Sequence, residues 1–233
     1  MKSTIYYKTK KITVNLIIHL FLLTVAVTCI FPLLWMISSS LKTQETIFKD
    51  MSLIPQSLNF ANYYHAWVEG GFGRYFLNSI FYTVAVVIGI VIISSMAAYA
   101  FSRLRFAGRN VLFIIFMAAM MIPIQGSFVA LYVLLNKLNL RNTALGYILC
   151  MINVGLSTSI FLLKTFFDKM PKELEDAARI DGCTKLGIWW HVALPLAKPV
   201  LAVVVVLNAL NVWNEFILAL LIFDSRPLMP LQV

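Results

Sequence analysis

Residues 171–195 read PKELEDAARIDGCTKLGIWWHVALP and separate two long apolar runs of the chain. Pro171 suits the first position of a helix, where its missing N–H costs no hydrogen bond. Acidic residues in the first turns suit the positive end of the helix dipole, and they are Glu173, Glu175 and Asp176. Gly182 favours the left-handed turn that ends a helix. A second short helix is predicted over 184–193, ending before Pro195.

The first of these two helices offers a face on which another protein can dock. Leu174, Ala177 and Ala178 lie at positions i, i+3 and i+4 and so share one side of the helix. The two alanines allow a partner to approach closely. An amphipathic helix that rests on lipid is the alternative, but the acidic first turns disfavour a place beside anionic lipid. We therefore interpret the 171–195 loop as a docking element.

The rest of the chain has the charge distribution of a helical membrane protein, with 61% hydrophobic and 12% charged residues. A helix needs about 20 apolar residues to cross the hydrocarbon core. Four intervals without Asp, Glu, Lys or Arg are long enough, namely 12–41, 75–102, 110–136 and 142–163. A fifth run follows Lys198 and reaches Phe223, interrupted only by Glu215. We predict an all-α fold: one polytopic transmembrane domain, residues 1–233, with five visible spans.

Loop charges predict how this bundle is oriented. With the amino terminus in the cytosol, 13 of the 19 Lys and Arg residues fall on the cytosolic side, as the positive-inside rule requires. The 171–195 loop is then cytosolic, and the segment 41–75, rich in Asn, Gly and aromatic residues, lies outside. Those aromatic residues are interpreted as interfacial anchors or as a surface for an external partner.

The composition disfavours several other classes of protein. The net charge of +9 is spread over separate loops, which disfavours a nucleic-acid surface. Cysteines and histidines are scattered without metal-ligand spacing. The sequence contains no G-x-x-x-x-G-K-[ST] loop, the usual cradle for ATP phosphates. We therefore predict no catalytic residue, no metal site and no cofactor bound by this chain.

Small and polar residues indicate where the spans pack or bind. The second span, about 76–101, is rich in Gly, Ala and Ser, which let helices approach closely in lipid. Pro123 and Gly126 fall near the middle of the third span, where proline is expected to kink the helix. Glu215 inside the fifth span is a functional-site candidate, unless it lies near the outer boundary or caps a neighbouring helix. Three asparagines precede it at three-residue intervals, roughly on one helical face: Asn208, Asn211 and Asn214.

The 171–195 loop resembles the coupling loop of ABC-transporter permeases. The resemblance rests on Asp176-Ala177-Ala178, Gly182 and Leu194-Pro195. It extends to AYAFSRLRFAGRN at 98–110, MMIPIQGSFVALY at 120–132 and the cluster Trp213-Asn214-Glu215-Phe216. Within the family, these segments are similar to the carbohydrate-uptake branch and to its smaller, maltose-type second permease subunit.

This resemblance implies a transport subunit and not an enzyme. The implied partners are a cytosolic ATPase dimer that binds ATP-Mg, a second permease subunit and an extracytoplasmic solute-binding protein, around a chain embedded in membrane lipid. The implied location is the cytoplasmic (inner) membrane of a bacterium or archaeon. The coupling signature belongs to importers. It implies ATPase-coupling roles for Glu175, Asp176, Ala177, Ala178, Asp181, Gly182, Leu194 and Pro195.

The chain also departs from the family pattern. Asp176 stands where relatives have glutamate, although Glu175 precedes it, and Ala107 stands where many relatives have proline. Relatives have six spans and a cytosolic carboxyl tail. The resemblance therefore implies that these 233 residues are a truncated form without the sixth span.

A sugar or oligosaccharide is the substrate that the resemblance implies. Asparagine and tryptophan suit hydroxyl-rich ligands, although they also suit helix packing. The substrate-pathway candidates are Asn211, Trp213, Asn214 and Glu215. One alternative is an ABC permease for another solute, such as a polyol, glycerol phosphate or an amino acid. The other is an ion-coupled secondary transporter with Glu215 as its relay, which is expected to show internal repeats.

Overall fold

The computed structural model describes residues 2–55, 57–121 and 124–233. The chain is 76% helical, and the described residues contain no strand, which confirms the all-α class. The chain forms two compact units, Met1–Phe72 and Gly73–Val233. The prediction of one permease domain stays a prediction.

The first unit contains a long apolar helix and a polar connector. Helix α1 covers Lys2–Ser40, and its segment Lys11–Ser40 is apolar enough to cross a membrane. Apolar side chains are exposed on all its sides, as suits a helix surrounded by lipid. Helix α2, Ala61–Tyr64, continues into a single π turn, His65–Glu69.

Polar side chains fix the connector between α1 and α2. The Lys42 ammonium is buried and donates to the carbonyl oxygens of Asp50 at 2.6 Å and Ser52 at 2.7 Å. Asn62 Nδ2 donates to the carbonyl oxygens of Ser40 at 2.9 Å and Lys42 at 2.8 Å. These hydrogen bonds satisfy backbone carbonyls at the last residue of α1 and in the segment after it. Asn62 therefore stabilises the fold of this segment.

The second unit is built around two long helices. Helix α3 covers Phe72–Arg103 and α6 covers Ala144–Lys169, and both are long and apolar enough to cross a membrane. The remaining helices are α4 (Arg109–Ala119), α5 (Phe128–Lys137), α7 (Glu173–Ile180), α8 (Lys185–Ile188), α9 (Leu194–Leu196), α10 (Lys198–Asn214) and α11 (Ile217–Ile222). Single 3₁₀ turns cover Ile124–Ser127 and Arg226–Leu228, and a second π turn covers Trp189–Ala193.

Aromatic pairs show that α3 and α6 run parallel. The ring centroids of Tyr82 and Tyr147 lie 5.0 Å apart, and those of Tyr99 and Phe167 lie 5.9 Å apart. Since both contacts follow the same order along the two helices, the helices point the same way. The two helices therefore have the relative direction expected of the second and fourth spans of a chain that crosses the membrane in alternating directions.

Helix α10 packs against α6 at a point of very close approach. Asn208 of α10 donates to Ser159 Oγ of α6 at 3.0 Å, and both side chains are buried. A Cβ on Gly155 would lie 2.1 Å from Asn208 Oδ1 and 2.5 Å from Ile90 Cδ1 of α3. Three helices therefore meet at this glycine, in keeping with the close packing that the small residues of the second span led us to expect.

Among the described residues, three of the five predicted spans are single helices long and apolar enough to cross a membrane, and the regions of the other two contain shorter helices. The third span consists of α4 and α5, separated by residues that include the 3₁₀ turn Ile124–Ser127; Pro123, the expected cause of a kink, lies outside the described residues. The fifth span consists of α10 and α11, with extended backbone at Glu215, where φ is −75° and ψ is 118°. Glu215, the residue that interrupts the fifth apolar run of the sequence, therefore lies between two helices and not within one.

Candidate functional site

Helix α7 begins two residues after Pro171 and ends in a complete glycine cap. Gly182 has φ of +83°. Its N–H donates to the carbonyl of Arg179 at 3.0 Å, and the N–H of Cys183 donates to that of Ala178 at 2.9 Å. This pair of bonds is the Schellman motif, which satisfies the last carbonyls of a helix. The predicted role of Gly182 as a left-handed terminator is confirmed.

The second helical part of the loop is longer than the sequence predicts. It begins after Thr184, whose hydroxyl accepts the N–H of Gly187 at 3.2 Å. It runs through α8, the π turn and α9 as far as Leu196, and meets α10 at an angle of 79°. The expectation of an end before Pro195 is wrong. A π turn, which is wider than a regular α-helical turn, lies directly before α9. It accommodates the Pro195 ring, which would clash with the preceding turn of a regular α-helix.

A buried ion pair attaches α7 to the end of α3. Glu175 Oε1 lies 2.9 Å from Arg103 Nε, and the two side chains are only 4% and 5% exposed. Glu175 Oε1 and Arg103 Nε attract each other as opposite charges, but their relative orientation does not form a hydrogen bond. The Tyr99 hydroxyl donates to Glu175 Oε2 at 3.4 Å, and the Arg103 guanidinium also donates to the carbonyl of Met170. The loop is thus fixed to a transmembrane helix by its own acidic residue.

The loop also has an exposed and largely apolar surface. Leu186 is 63% exposed, Trp190 57% and Ile180 88%. Asp176 pairs with Arg179 at 3.1 Å, and both of these side chains are more than half exposed. We call this surface the outer face of the loop: Leu174, Asp176, Ala177, Ile180, Leu186 and Trp190.

The structure separates the predicted coupling residues into two groups. Asp176, Ala177, Asp181, Gly182 and Pro195 are exposed. Glu175 and Ala178 are buried and Leu194 is half-buried, so these three face the chain itself. Arg103 is the partner that sequence reasoning missed. The sequence does place a basic residue, Arg103, at the end of the second span and acidic residues in the 171–195 loop. Their spacing along the chain does not show that Arg103 and Glu175 are in contact.

The three asparagines of the fifth span do not share one environment. Asn208 is buried against α6, whereas Asn211 and Asn214 are exposed, so the expectation that the three share a face is wrong for Asn208. A three-residue step falls short of a full helical turn, which rotates successive asparagines away from each other. The side chain of Asn214 donates to the carbonyl of its own helix at Leu210, 2.7 Å away.

Glu215 and Trp213 have structural contacts. Glu215 Oε1 accepts the backbone N–H of Leu218 at 2.8 Å and so caps α11. Trp213 stacks edge-on with Phe76, with ring centroids 5.9 Å apart, and its carbonyl accepts from Gln232. The helix-cap interpretation of Glu215 is confirmed, while a role of either residue toward substrate stays a prediction. Among the described residues, no His, Cys, Asp and Glu side chains are grouped to hold a metal ion.

Comparisons with known proteins agree with this geometry. The family described as "binding-protein-dependent transport system inner membrane component" matches residues 89–232. A probable ABC transporter permease protein, YurM, of Bacillus subtilis is 35% identical over 91% of this chain and 69% of its own length. The diacetylchitobiose uptake system permease protein NgcG of Streptomyces coelicolor is 34% identical over 86% of this chain and 66% of its own length.

A solved structure is also similar. It is the crystal structure of a bacterial ABC transporter involved in the import of the acidic polysaccharide alginate. The match has a TM-score of 0.83 and 27% identity, and covers 94% of this chain and 77% of that chain. The likeness confirms the polytopic helical bundle. This chain therefore spans about two thirds to three quarters of the length of the proteins it matches.

Proposed function

Because the chain belongs to the family of binding-protein-dependent transport system inner membrane components, we propose that it is the permease subunit of an ABC importer for a sugar or oligosaccharide. Two of the similar proteins carry names that concern diacetylchitobiose uptake and alginate import. The bundle, with its long apolar helices, forms part of the path through the membrane. The chain itself has a transport role, and hydrolysis of ATP belongs to another subunit.

The observation that carries this proposal is the two-sided construction of the 171–195 loop. Its inner side is attached to α3 through the buried Arg103–Glu175 pair. Its outer face exposes Leu186 and Trp190 beside the small Ala177, a combination suited to a protein surface. A loop that is held firmly on one side and exposed on the other can transmit force. We propose that the outer face docks on an ATPase dimer that binds ATP-Mg.

The remaining partners and the orientation follow from this assignment. The amino terminus and the 171–195 loop face the cytosol, in keeping with the excess of basic residues in the loops on that side. A second permease subunit completes the path, and an extracytoplasmic binding protein delivers the solute. The membrane is the cytoplasmic membrane of a bacterium or archaeon. Closure of the ATPase dimer turns the bundle as a rigid body between its inward and outward states.

Within the loop, the predicted coupling residues have different tasks. Asp176, Ala177 and Asp181 are exposed and are proposed to contact the ATPase. Glu175 and Ala178 are buried and are proposed to position the loop. Gly182 sets the angle between the two helical parts, and Leu194 and Pro195 join the loop to α10.

Variants of the outer face test the coupling role. Ala177→Trp places a large ring where a close contact is proposed, whereas Ala177→Ser keeps the size of the side chain. We expect Ala177→Trp to lower the ATPase stimulation by loaded binding protein at least tenfold in proteoliposomes of the full transporter, since a misfit of about 1.4 kcal/mol already gives a factor of ten. Gly182→Pro, which cannot adopt φ of +83°, is expected to uncouple as well. Normal uptake in both variants would refute the coupling role.

The substrate class needs a separate measurement. The same proteoliposomes, supplied with the cognate binding protein, are tested with labelled oligosaccharides, a polyol, glycerol phosphate and an amino acid. We expect ATP-dependent uptake of an oligosaccharide alone. Uptake of a different solute would correct the substrate class but leave the coupling role intact, and uptake without ATP would contradict the assignment to this transport mechanism.

A further inference from the structure

A basic cleft lies where the end of α3, the α3–α4 turn and the 171–195 loop come together. Its volume is about 590 Å³. Six cationic side chains line it: Arg103, Arg105, Arg109, Lys172, Arg179 and Lys185. Of the residues that the structure describes, two with carboxylates line the same cleft, Glu175 and Asp176. Such an excess of positive charge in a concave surface favours an anionic ligand.

The two carboxylates are already neutralised within the cleft. Glu175 pairs with Arg103, and Asp176 pairs with Arg179. The other four cations, those of Arg105, Arg109, Lys172 and Lys185, have no carboxylate at ion-pair distance within the described part of the chain. Among the described residues, the Arg109 guanidinium donates to two neutral oxygens, those of Asn110 and Leu104, at 3.4 and 3.3 Å. The cleft therefore retains four positive charges for a ligand.

An apolar groove of about 180 Å³ opens directly beside the cleft. Leu104 and Lys185 line both of them. The groove follows α3 through Ala100 and Met96. Tyr99, Leu186 and Trp189 form part of its wall, so the groove adjoins the outer face of the loop at Leu186. Ala100 and Met96 lie one and two helical turns before Leu104, about 6 and 12 Å along the helix. The groove thus leads from the charged edge of the membrane toward its apolar core.

We propose that the cleft and groove together bind one anionic phospholipid from the leaflet on the side of the 171–195 loop. The headgroup phosphate lies among Arg105, Arg109, Lys172 and Lys185, and the start of an acyl chain lies in the groove beside Ala100. Basic pockets at the ends of transmembrane helices are suited to such headgroups. A free anion would use only the cleft, and a neutral lipid would use only the groove. The bound lipid would bridge the loop, through Lys172 and Lys185, to the end of α3.

This inference rests on the membrane fold and not on the proposed sugar or on ATP coupling. The experiment uses the full transporter complex purified in mild detergent, and native mass spectrometry counts lipids bound during titration. The probes are phosphatidylglycerol and phosphatidylcholine with the same acyl chains. We expect the wild type to bind phosphatidylglycerol in clear preference to phosphatidylcholine. The double variant Lys172→Gln/Lys185→Gln is expected to bind phosphatidylglycerol about thirtyfold more weakly, from two lost lysines.

Two further variants separate the parts of the site. Ala100→Phe fills the groove without changing the charge and is expected to weaken phosphatidylglycerol binding at least tenfold. The control Lys169→Gln/Lys198→Gln removes two exposed lysines that line neither the cleft nor the groove, and it should bind like the wild type. Binding is repeated with inorganic phosphate as a competitor.

Three outcomes would overturn the proposal. Equal binding of the two lipids by the wild type would show that charge does not select the ligand. Displacement of the lipid by phosphate, with no effect of Ala100→Phe, would indicate a site for a free anion. Loss of the ATPase subunit from Lys172→Gln/Lys185→Gln, with unchanged lipid binding, would show that the cleft contacts protein.

Discussion

Replacing Glu175 by glutamine tests how the 171–195 loop is held to the membrane-spanning bundle. The change keeps the shape of the side chain but removes the charge that lies 2.9 Å from Arg103 Nε. At an effective dielectric constant of about 20, two unit charges at that separation attract each other by about 6 kcal/mol. Desolvation offsets part of this in the native pair, but the single variant leaves Arg103 buried without its partner. We therefore expect unfolding free energy to fall by about 3–5 kcal/mol.

The matched control is Asp176→Asn, the same chemical change one residue further along the helix. Asp176 pairs with Arg179 at 3.1 Å, but the side chains are 64% and 54% exposed. Water screens an exposed pair, so this variant should lose less than about 1 kcal/mol. Unfolding free energies of the purified chain in mixed micelles, measured by titration with sodium dodecyl sulfate, provide the comparison.

A double variant shows whether the loss of stability in Glu175→Gln comes from leaving the Arg103 charge buried without a partner or from disturbed packing. Arg103→Met/Glu175→Leu removes both charges and fills the same space with apolar atoms. It should recover most of the stability lost in Glu175→Gln, because replacing a buried pair by apolar side chains is often neutral. Equal stabilities for Glu175→Gln and Asp176→Asn would refute the reasoning, since the buried pair would then be no stronger than the exposed one.

Two other predictions concern the helix crossing and the fifth span. Gly155→Ala should lower the unfolding free energy by about 1–3 kcal/mol, because the new Cβ would lie 2.1 Å from Asn208 Oδ1. The control is Gly126→Ala, since a Cβ at Gly126 would have no atom within 4 Å. An equal loss of unfolding free energy in both variants would contradict close packing at Gly155. Asn214→Ala combined with Glu215→Gln should lower the rate of substrate uptake by proteoliposomes about tenfold if either side chain contacts the solute in transit. Uptake at the normal rate would leave both residues with their observed roles in helix structure alone.

The architecture was largely predictable from the sequence because it depends on local composition. Uninterrupted apolar runs and small residues set the positions of α3 and α6 and their close packing. The end of α7 was predictable for a similar reason: Gly182 adopts a backbone conformation, with φ of +83°, that other residues reach only at a cost. Each of these features is determined by a few neighbouring residues.

The features that the sequence did not reveal depend on distant contacts. Arg103 and Glu175 are far apart in the chain, and nothing in either segment fixes the distance between them. Pro195 indicated the end of a helix, but the π turn before it changes the local geometry so that the helix continues. Glu215 had two equal interpretations, and only the position of the Leu218 N–H identified it as a cap.

The bend of 79° between Leu196 and Lys198 makes the end of the loop and α10 an L-shaped element. Its short arm, from Lys185 to Leu196, and its long arm, α10, are separated by a single residue, Ala197. From Ala197 to the crossing with α6 at Asn208, the long arm measures about 16 Å. If Gly155 and Asn208 act as the pivot, a shift of the short arm by about 3 Å turns α10 by roughly ten degrees. With such a pivot, a displacement of the short arm along the membrane surface would be converted into a rotation of α10.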